Sequence, residues 1–386
     1  MKKLSNHNNP NLPRLERPIH DLSMLGLTRL KLSTIKLSIT MCLGLIIAIL
    51  PTHSNATGRA VFNQNQEQEF IQKYTLKYHL PKDYIAEALK QAVFQQSSYA
   101  MQAAIASAPA HSKGKTWIQY RQQFINSAKI NLGEDFMCEH QEALAKAEAK
   151  YGVPKSIILG IIGVETSYGS FTGHYRVIDS LATLAFNSPR RVEFWQDELA
   201  QYILMCYQYK LEVGKLIGSI DGGFGIGQFM PSAYLEFAVT AEADTAEAGT
   251  AKAGSKRAPN LMQADDAIMS IANYLKQHGW QSGQPVVITV KRSKDTCNSL
   301  DCNRKELSYT IGTWQKHGVV IQNPPKQNMS NVLADLVTLD NNYKQPAWLA
   351  LNNFYSIFSY NHSQKYAMVV YQLGNAVVKS VKHDGC

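Results

Sequence analysis

Glu165 directly follows eight residues, Ile157–Val164, none of which carries a polar side chain. A helix that is apolar on every face belongs in a protein interior. A carboxyl group one turn beyond Ile161 and Ile162 is therefore expected to lose water, which raises its pKa and tends to keep it protonated. A glutamic acid protonated near neutral pH is what a glycosidic oxygen needs as proton donor. The competing reading is a helix-end Glu that reaches water or is neutralised by an arginine.

Two further stretches carry groups suited to a sugar. Gly218–Ser232 holds five glycines among fifteen residues, which implies tight turns or a close approach of backbone to ligand. It lacks the Gly-Lys-Ser/Thr ending and the strand–helix setting of a phosphate-binding loop, whereas Ser219 and Gln228 are polar groups that it could aim at a carbohydrate. Phe354–Tyr371 contains Tyr355, Tyr360, Asn361, Tyr366 and Tyr371. Tyrosine presents an apolar face and a polar tip, which suits a sugar ring, although Tyr366 and Tyr371 on a closing helix are equally suited to a core. Arg190-Arg191, after Pro189, is a pair able to hold a carboxylate or N-acetyl group, or a basic pair on a solvated helix start.

The elements that must position these groups are mostly helical. Gln66–Ala108 has helix periodicity, with Phe70, Tyr74 and Tyr78 on one side and a restart at Pro81-Lys82-Asp83. Helices are also expected over Trp117–Ile130, Gln141–Tyr151, Pro154–Thr166, Glu193–Leu211, Ala264–His278 and Ser363–Val378. Short strands are expected at Pro285–Val290 and Leu307–Ile311, and Trp348–Tyr360 reads as extended or turn-like. No internal repeat is evident. The fold class is α+β, predominantly helical, with a small late β region. The organisation reads as a leader over 1–56, a linker over 57–67, and a helical core over 68–284 with a flexible Ala/Glu/Gly-rich insertion at 240–258. A β region over 285–347, a Tyr-Asn segment and helix over 348–378 that completes the core, and a tail over 379–386 follow.

Of the 386 residues, 45% are hydrophobic and 18% charged, the balance of a soluble globular protein. The formal net charge is +9, but residues 1–56 hold seven basic and two acidic residues, leaving +4 on the remainder. That modest balance suits an anionic polymer or simple solubility, and no zinc finger, RNA-binding signature or basic helix argues for nucleic acid. Basic residues up to Lys36, the apolar run Leu37–Leu50 and the exit Ser54-Asn55-Ala56 read as a signal peptide cut near Ala56. Export is the expectation, and an uncleaved membrane anchor is the alternative. Outside the cytoplasm cysteines can pair. Cys297 and Cys302 suit a local loop disulfide, whereas zinc would require further ligands at fitting spacings. Cys138, Cys206 and Cys386 are left open.

Together these stretches resemble the B family of lytic murein transglycosylases, a branch of the lysozyme-like superfamily. The likeness rests on Gly163-Val164-Glu165-Thr166, Leu181-Ala182-Thr183-Leu184, Pro189-Arg190-Arg191 and Gly225-Ile226-Gly227-Gln228-Phe229-Met230-Pro231-Ser232. It continues through Ala272-Asn273-Tyr274-Leu275, His278-Gly279-Trp280 and Tyr360-Asn361-His362-Ser363 with Tyr366-Ala367-Met368. Trp117–Ile125 also matches a Trp-x-x-Tyr-Arg segment, and the likeness runs in order over 68–378. The resemblance implies a lysozyme-like catalytic core that cuts the β-1,4 bond between N-acetylmuramic acid and N-acetylglucosamine in peptidoglycan without water. It implies Glu165 as the single acid/base and a 1,6-anhydromuramic product, substrate-assisted families being recognised exceptions to the two-carboxylate pattern. By matching position Tyr120, Arg190, Arg191, Ser219, Gln228, Phe229, Tyr274, Tyr360, Asn361 and Tyr366 would line the glycan groove, with Ser219 and Asn361 orienting the N-acetyl or carbohydrate groups near the cut. Peptidoglycan strands are the implied partner, and the protein is expected to act as a monomer.

Two departures stand out. The family often carries an Asp-rich calcium loop where this chain has Thr240–Ala258, without D-x-[DN]-x-[DN]-G and with Gln263 in place of an Asp; no metal and no cofactor are therefore expected. Asp221 stands where a small apolar residue is common, and could shift the acid's pKa upward or admit water as a second carboxylate. A hydrolytic muramidase and a non-catalytic wall-binding protein are the rival functions.

Overall fold

The computed structural model describes residues 62–108, 115–242, 257–324, 327–340 and 346–384. The expected leader over 1–56, most of the insertion at 240–258, and Cys386 lie outside the described residues. The first half is helical: α1 (Gln64–Tyr78), α2 (Lys82–Lys90), α3 (Gln96–Ser107), α4 (Trp117–Phe124), α5 (Ser127–Glu139), α6 (Gln141–Tyr151) and α7 (Lys155–Thr166). A two-residue strand β1 (Tyr175–Arg176) leads into α8 (Val177–Asn187) and α9 (Val192–Tyr209), and β2 (Ile217–Gly218) pairs back antiparallel onto β1. Helices α10 (Pro231–Phe237) and α11 (Ala264–Gln277) follow. The late region holds β3 (Val287–Arg292), α12 (Thr296–Ser299), β4 (Tyr309–Thr310), α13 (Ile311–Lys316), β5 (Val319–Ile321), β6 (Leu333–Val337) and β7 (Ala347–Ala350). The chain then closes with α14 (Asn352–Asn361) and α15 (Gln364–Asp384).

Local chemistry explains several boundaries. Thr116 and Gln119 form a reciprocal capping box at α4, and the Asn126 side chain caps α5, so the single helix expected over Trp117–Ile130 is broken at residues 125–126. Gly152 closes α6 in the left-handed region (φ 68°), where only glycine is unstrained, and Pro154 starts α7 with its fixed φ. Three expectations need correction. The 57–67 linker ends early, because Phe62 is buried and α1 begins at Gln64. Trp348–Tyr360, expected to be extended or turn-like, is extended only over Trp348–Ala350, the end of strand β7, and is helix α14 from Asn352. The 379–386 tail is helical through Asp384.

One apolar core runs through the helices and a second sits in the late region. That second core surrounds the fully buried Trp314 beneath an antiparallel sheet of order β4-β6-β7-β3-β5. At the centre of the main core, α7 lies against α15. A Cβ on Gly160 would overlap the Val370 carbonyl oxygen, and one on Gly374 would overlap the Ser156 carbonyl oxygen. Two glycines thus bring the helix backbones into contact, and these are the helices that carry Glu165 and Tyr366. No helix among the described residues is long and apolar enough to cross a membrane.

Candidate active site

Ile157, Ile158, Leu159, Ile161 and Ile162 are buried, and Glu165, in the last turn of α7, is half-buried. The carboxyl therefore sits at the rim of the core rather than in bulk water or sealed inside. Thr166 holds that rim. Its Oγ1 donates to the Ile226 carbonyl at 2.8 Å and accepts from the Gly169 amide at 3.0 Å, stapling the helix end to the glycine-rich stretch. Ser167, Tyr168 and Gly169 then take successive positive φ values of 50°, 60° and 81°. Two non-glycine residues in that region cost roughly 1 kcal/mol or more each. The Tyr168 ring, filling the space left by Gly133 and Gly163, helps hold the reversal in place.

From the other side Tyr366 Oη donates to Glu165 Oε1 at 2.6 Å. Burial and the neighbouring Glu165 carboxylate push the Tyr366 phenol well above its ordinary pKa, so it stays a neutral donor. The bond fixes the carboxyl's orientation at a cost in side-chain freedom already met by packing, since Tyr366 is fully enclosed. Tyr360 stacks on Tyr366, with centroids 6.3 Å apart and planes 9° apart, and its Oη donates to the Gly227 carbonyl at 2.6 Å. Tyr120, packed between Trp117 and Phe124, is close enough to Tyr366 to act on it electrostatically. Lys129 donates to the Gly163 carbonyl at 2.9 Å, satisfying a last-turn carbonyl of α7. Burial pushes that ammonium's pKa down, and the Glu165 carboxylate opposes the shift.

The glycine-rich stretch folds as a tight ribbon. Gly218 bridges Phe224, and Phe224 bridges Phe229. Gln228, at φ 51°, donates its amide nitrogen to the carbonyls of Thr172 (3.1 Å) and Gly225 (3.0 Å), and remains half-exposed. Ser219, also half-buried, donates to Asp221 Oδ1 at 2.6 Å. The ribbon, the two late tyrosines and Glu165 thus form one connected set: Thr166 ties Glu165's helix to Ile226, and Tyr360, stacked on Tyr366, bonds to Gly227.

The remaining expected lining residues are placed less directly. Tyr274 has no exposed surface, donates to the Ser359 carbonyl at 2.9 Å, and packs with Phe229, Phe237, His278 and Tyr360. With nothing exposed it cannot touch a glycan, and it supports the ribbon from beneath, packed against the buried Phe229. Asn361 is buried at the end of α14. Arg190 is exposed and Arg191 lies over the Phe194 ring at 4.0 Å, both in the turn before α9. Thr166 and Lys129 belong to the site although the sequence does not single them out. A threonine next to the acid is legible only in its spacing, and Lys129 lies 34 positions from the carbonyl it meets.

The Cys297–Cys302 disulfide is present, Cys138 is also disulfide-bonded, and Cys206 is free and buried. Among the described residues no group of three or more His, Cys, Asp or Glu side chains could hold a metal ion. At the base of the insertion, Asp266 is buried and both its oxygens are taken. Arg257 donates to Oδ2 at 2.6 Å and Oδ1 at 3.0 Å, the Ala241 amide to Oδ1 at 2.8 Å, and the Asn260 amide to Oδ2 at 2.7 Å. Arg257 also donates to Glu242 at 3.2 Å. A guanidinium already fills the place between these two carboxylates, so this donor set does not fit a calcium ion, which needs 6–8 available oxygens.

The family described as the Transglycosylase SLT domain matches residues 63–375, more than three quarters of the chain. The chain belongs to that family. It is 36% identical over 319 residues to the membrane-bound lytic murein transglycosylase B of Escherichia coli (strain K12), covering 82% of this chain and 83% of that protein. The Escherichia coli lytic transglycosylase SLT35, solved in complex with calcium, superimposes with a TM-score of 0.69 at 35% identity, covering 82% of this chain and 94% of that one. SltB3 of Pseudomonas aeruginosa, solved in complex with NAG-NAM-pentapeptide, gives a TM-score of 0.69 at 26% identity, covering 81% and 79%. The transglycosylase is thus an enzyme of a family of peptidoglycan-cleaving lyases, with the lysozyme-like helical fold and small sheet of its relatives.

Proposed function

We propose that the enzyme cleaves the β-1,4 bond between N-acetylmuramic acid and N-acetylglucosamine in peptidoglycan without water, with Glu165 as its only acid/base. The observation that carries this reading is the half-buried Glu165 carboxyl, held by Tyr366 at 2.6 Å and tethered through Thr166 to the glycine-rich ribbon. Glu165 protonates the departing N-acetylglucosamine oxygen as the glycosidic bond breaks. The muramic C6 hydroxyl then bonds to the anomeric carbon while Glu165 takes back its proton, so no water is consumed and a 1,6-anhydro ring results. Between the two steps the substrate's own acetamido oxygen stabilises the anomeric carbon, in place of a second carboxylate. The half-buried Ser219 and Gln228 are assigned to the glycan groove, and the buried Tyr360 and Asn361 to the wall behind it. The relative solved with NAG-NAM-pentapeptide supports a wall-fragment substrate.

Mass spectrometry of peptidoglycan digested by the protein lacking residues 1–56 tests the reaction. Anhydro-muropeptides are the expected products; reducing N-acetylmuramic ends would replace the proposal with hydrolysis. Export to the periplasm with cleavage near Ala56, acting as a monomer, is part of the same reading. A mature N-terminus retaining residues 37–50 would point instead to an anchored form.

We propose further that Arg257 does for the base of the insertion what a bound cation does elsewhere, so that neither folding nor turnover draws on calcium. Adding calcium or EGTA is expected to leave the melting temperature and rate unchanged. Arg257→Gln strands the buried Asp266 charge, which costs about 2–4 kcal/mol and lowers the melting temperature by roughly 5 °C or more. A melting temperature that rises with calcium in the unaltered protein would overturn this reading.

A further inference from the structure

Asp221 is buried inside the glycine-rich ribbon, and its Oδ1 accepts the Ser219 hydroxyl proton at 2.6 Å. Ser219 has little freedom to turn away. Its amide donates to the Gly223 carbonyl at 2.7 Å, and its own carbonyl accepts from the Gly222 amide at 3.1 Å and from Ser180 Oγ at 3.3 Å. Gly222 holds φ 88°, and a side chain there would meet Leu181, so the turn that aims Asp221 at Ser219 is set by glycine. A Cβ on Gly223 would stand 3.2 Å from Ser219 Oγ, so glycine also leaves the flank of the hydroxyl clear.

A serine hydroxyl has one proton and two lone pairs. With the proton committed to Asp221, Ser219 offers only lone pairs to whatever lies in the groove. We infer that Asp221 is a positioning residue that makes Ser219 a hydrogen-bond acceptor for the acetamido N–H of an N-acetylated sugar. An amide is planar and trans, so a ligand whose N–H is pinned by Ser219 turns its acetamido oxygen the opposite way. That orientation frees the oxygen to approach the anomeric carbon, as the proposed mechanism requires, and a serine donating to the same oxygen would hold it back. The inference rests on the proposed function only in placing Ser219 against the glycan.

The test is a double-mutant cycle on soluble glycan oligomers, with kcat, KM, product mass spectra and melting temperature measured for each protein. Asp221→Ala is expected to lower kcat roughly tenfold with little change in KM, because orientation is needed most in the transition state. Asp221→Asn, whose Oδ1 can still accept, is expected to stay within about threefold of the unaltered enzyme. In a Ser219→Ala background, Asp221→Ala should cost nothing more, the mark of a residue acting through its neighbour. Should the alanine variant not fold, Asp221→Leu, close in shape but unable to accept, takes its place. Full additivity in the cycle would overturn the inference. So would an Asn variant as damaged as the alanine one, which would mean that the charge and not the acceptor matters, or a shift in the ratio of anhydro to reducing ends, which would mean that the carboxylate acts on water. If Ser219→Ala alone keeps full activity, Ser219 does not touch the glycan. The inference then fails while the product analysis, and with it the proposed reaction, stands.

Discussion

Glu165→Gln is expected to reduce turnover of peptidoglycan by about a thousandfold or more, within the range a positioned general acid/base contributes. Glutamine keeps the shape of the side chain, and its amide oxygen can still accept from the Tyr366 hydroxyl that now lies 2.6 Å from Glu165 Oε1. What it cannot do is carry an acidic proton or take one back. Both halves of the proposed reaction pass through that proton, so losing it stops bond breaking and ring closure together. The helix should be indifferent to the change, because its stability comes from Ile157, Ile158, Leu159, Ile161 and Ile162, not from the half-exposed carboxyl. The circular dichroism spectrum, the melting temperature to within a few degrees, and retention on insoluble peptidoglycan should therefore all survive. Release of soluble muropeptides, followed by chromatography, is the deciding measurement. Activity within tenfold of the unaltered enzyme would mean that another group supplies the proton.

The place of Glu165 at the edge of the core could be read from the sequence because the physics is local. Eight apolar residues in a row force a helix inward, and the first carboxyl after them inherits the boundary. The glycine-rich stretch was legible for the same reason, since backbone freedom is written in residue type. Non-local pairings were not legible. The Tyr366–Glu165 bond spans 201 positions, and nothing about a tyrosine on a closing helix distinguishes a catalytic clamp from a core residue. Tyr274 shows the reverse error: its type suits a sugar, yet its neighbours enclose it completely. Helix α8 is not legible in the sequence because Val177–Phe186 is buried all round, which erases the periodicity that reveals a half-exposed helix. Helix α14 reads as extended or turn-like in the sequence because it is rich in Asn, Tyr and Phe. Tertiary bonds override that preference: Asn353 donates to the carbonyls of Gln281 and Gln284 at 2.8 Å and accepts from the Gln281 amide at 2.7 Å. The Arg257–Asp266 clasp illustrates a third limit. The sequence shows that Thr240–Ala258 lacks the D-x-[DN]-x-[DN]-G pattern, but not that Arg257 lies between the Glu242 and Asp266 carboxylates.

Gly374→Ala sets two opposed effects against each other. On an isolated helix the change is favourable by roughly 1 kcal/mol, because alanine loses less conformational freedom than glycine. In this fold the added Cβ would overlap the Ser156 carbonyl oxygen and crowd the Gly160 amide nitrogen at 3.1 Å. Neither is the end of a flexible side chain, so the clash can be relieved only by moving α15 away from α7. Gly160, which faces the Val370 carbonyl in the same contact, leaves no slack on the other side. Overpacking of this kind costs typically 1–3 kcal/mol and occasionally more, and a backbone-to-backbone overlap belongs at the upper end. The clash should outweigh the propensity gain, lowering the melting temperature by several degrees. The same movement draws Tyr366 away from Glu165, and a bond of 2.6 Å does not survive a separation of even 1 Å. Activity per folded molecule, measured well below the melting temperature, should consequently fall by roughly tenfold or more, as expected when a catalytic group is misplaced by that distance. A Gly374→Ala protein that melts at or above the unaltered temperature with full activity would show that the two helices do not rely on this contact to hold the acid in place.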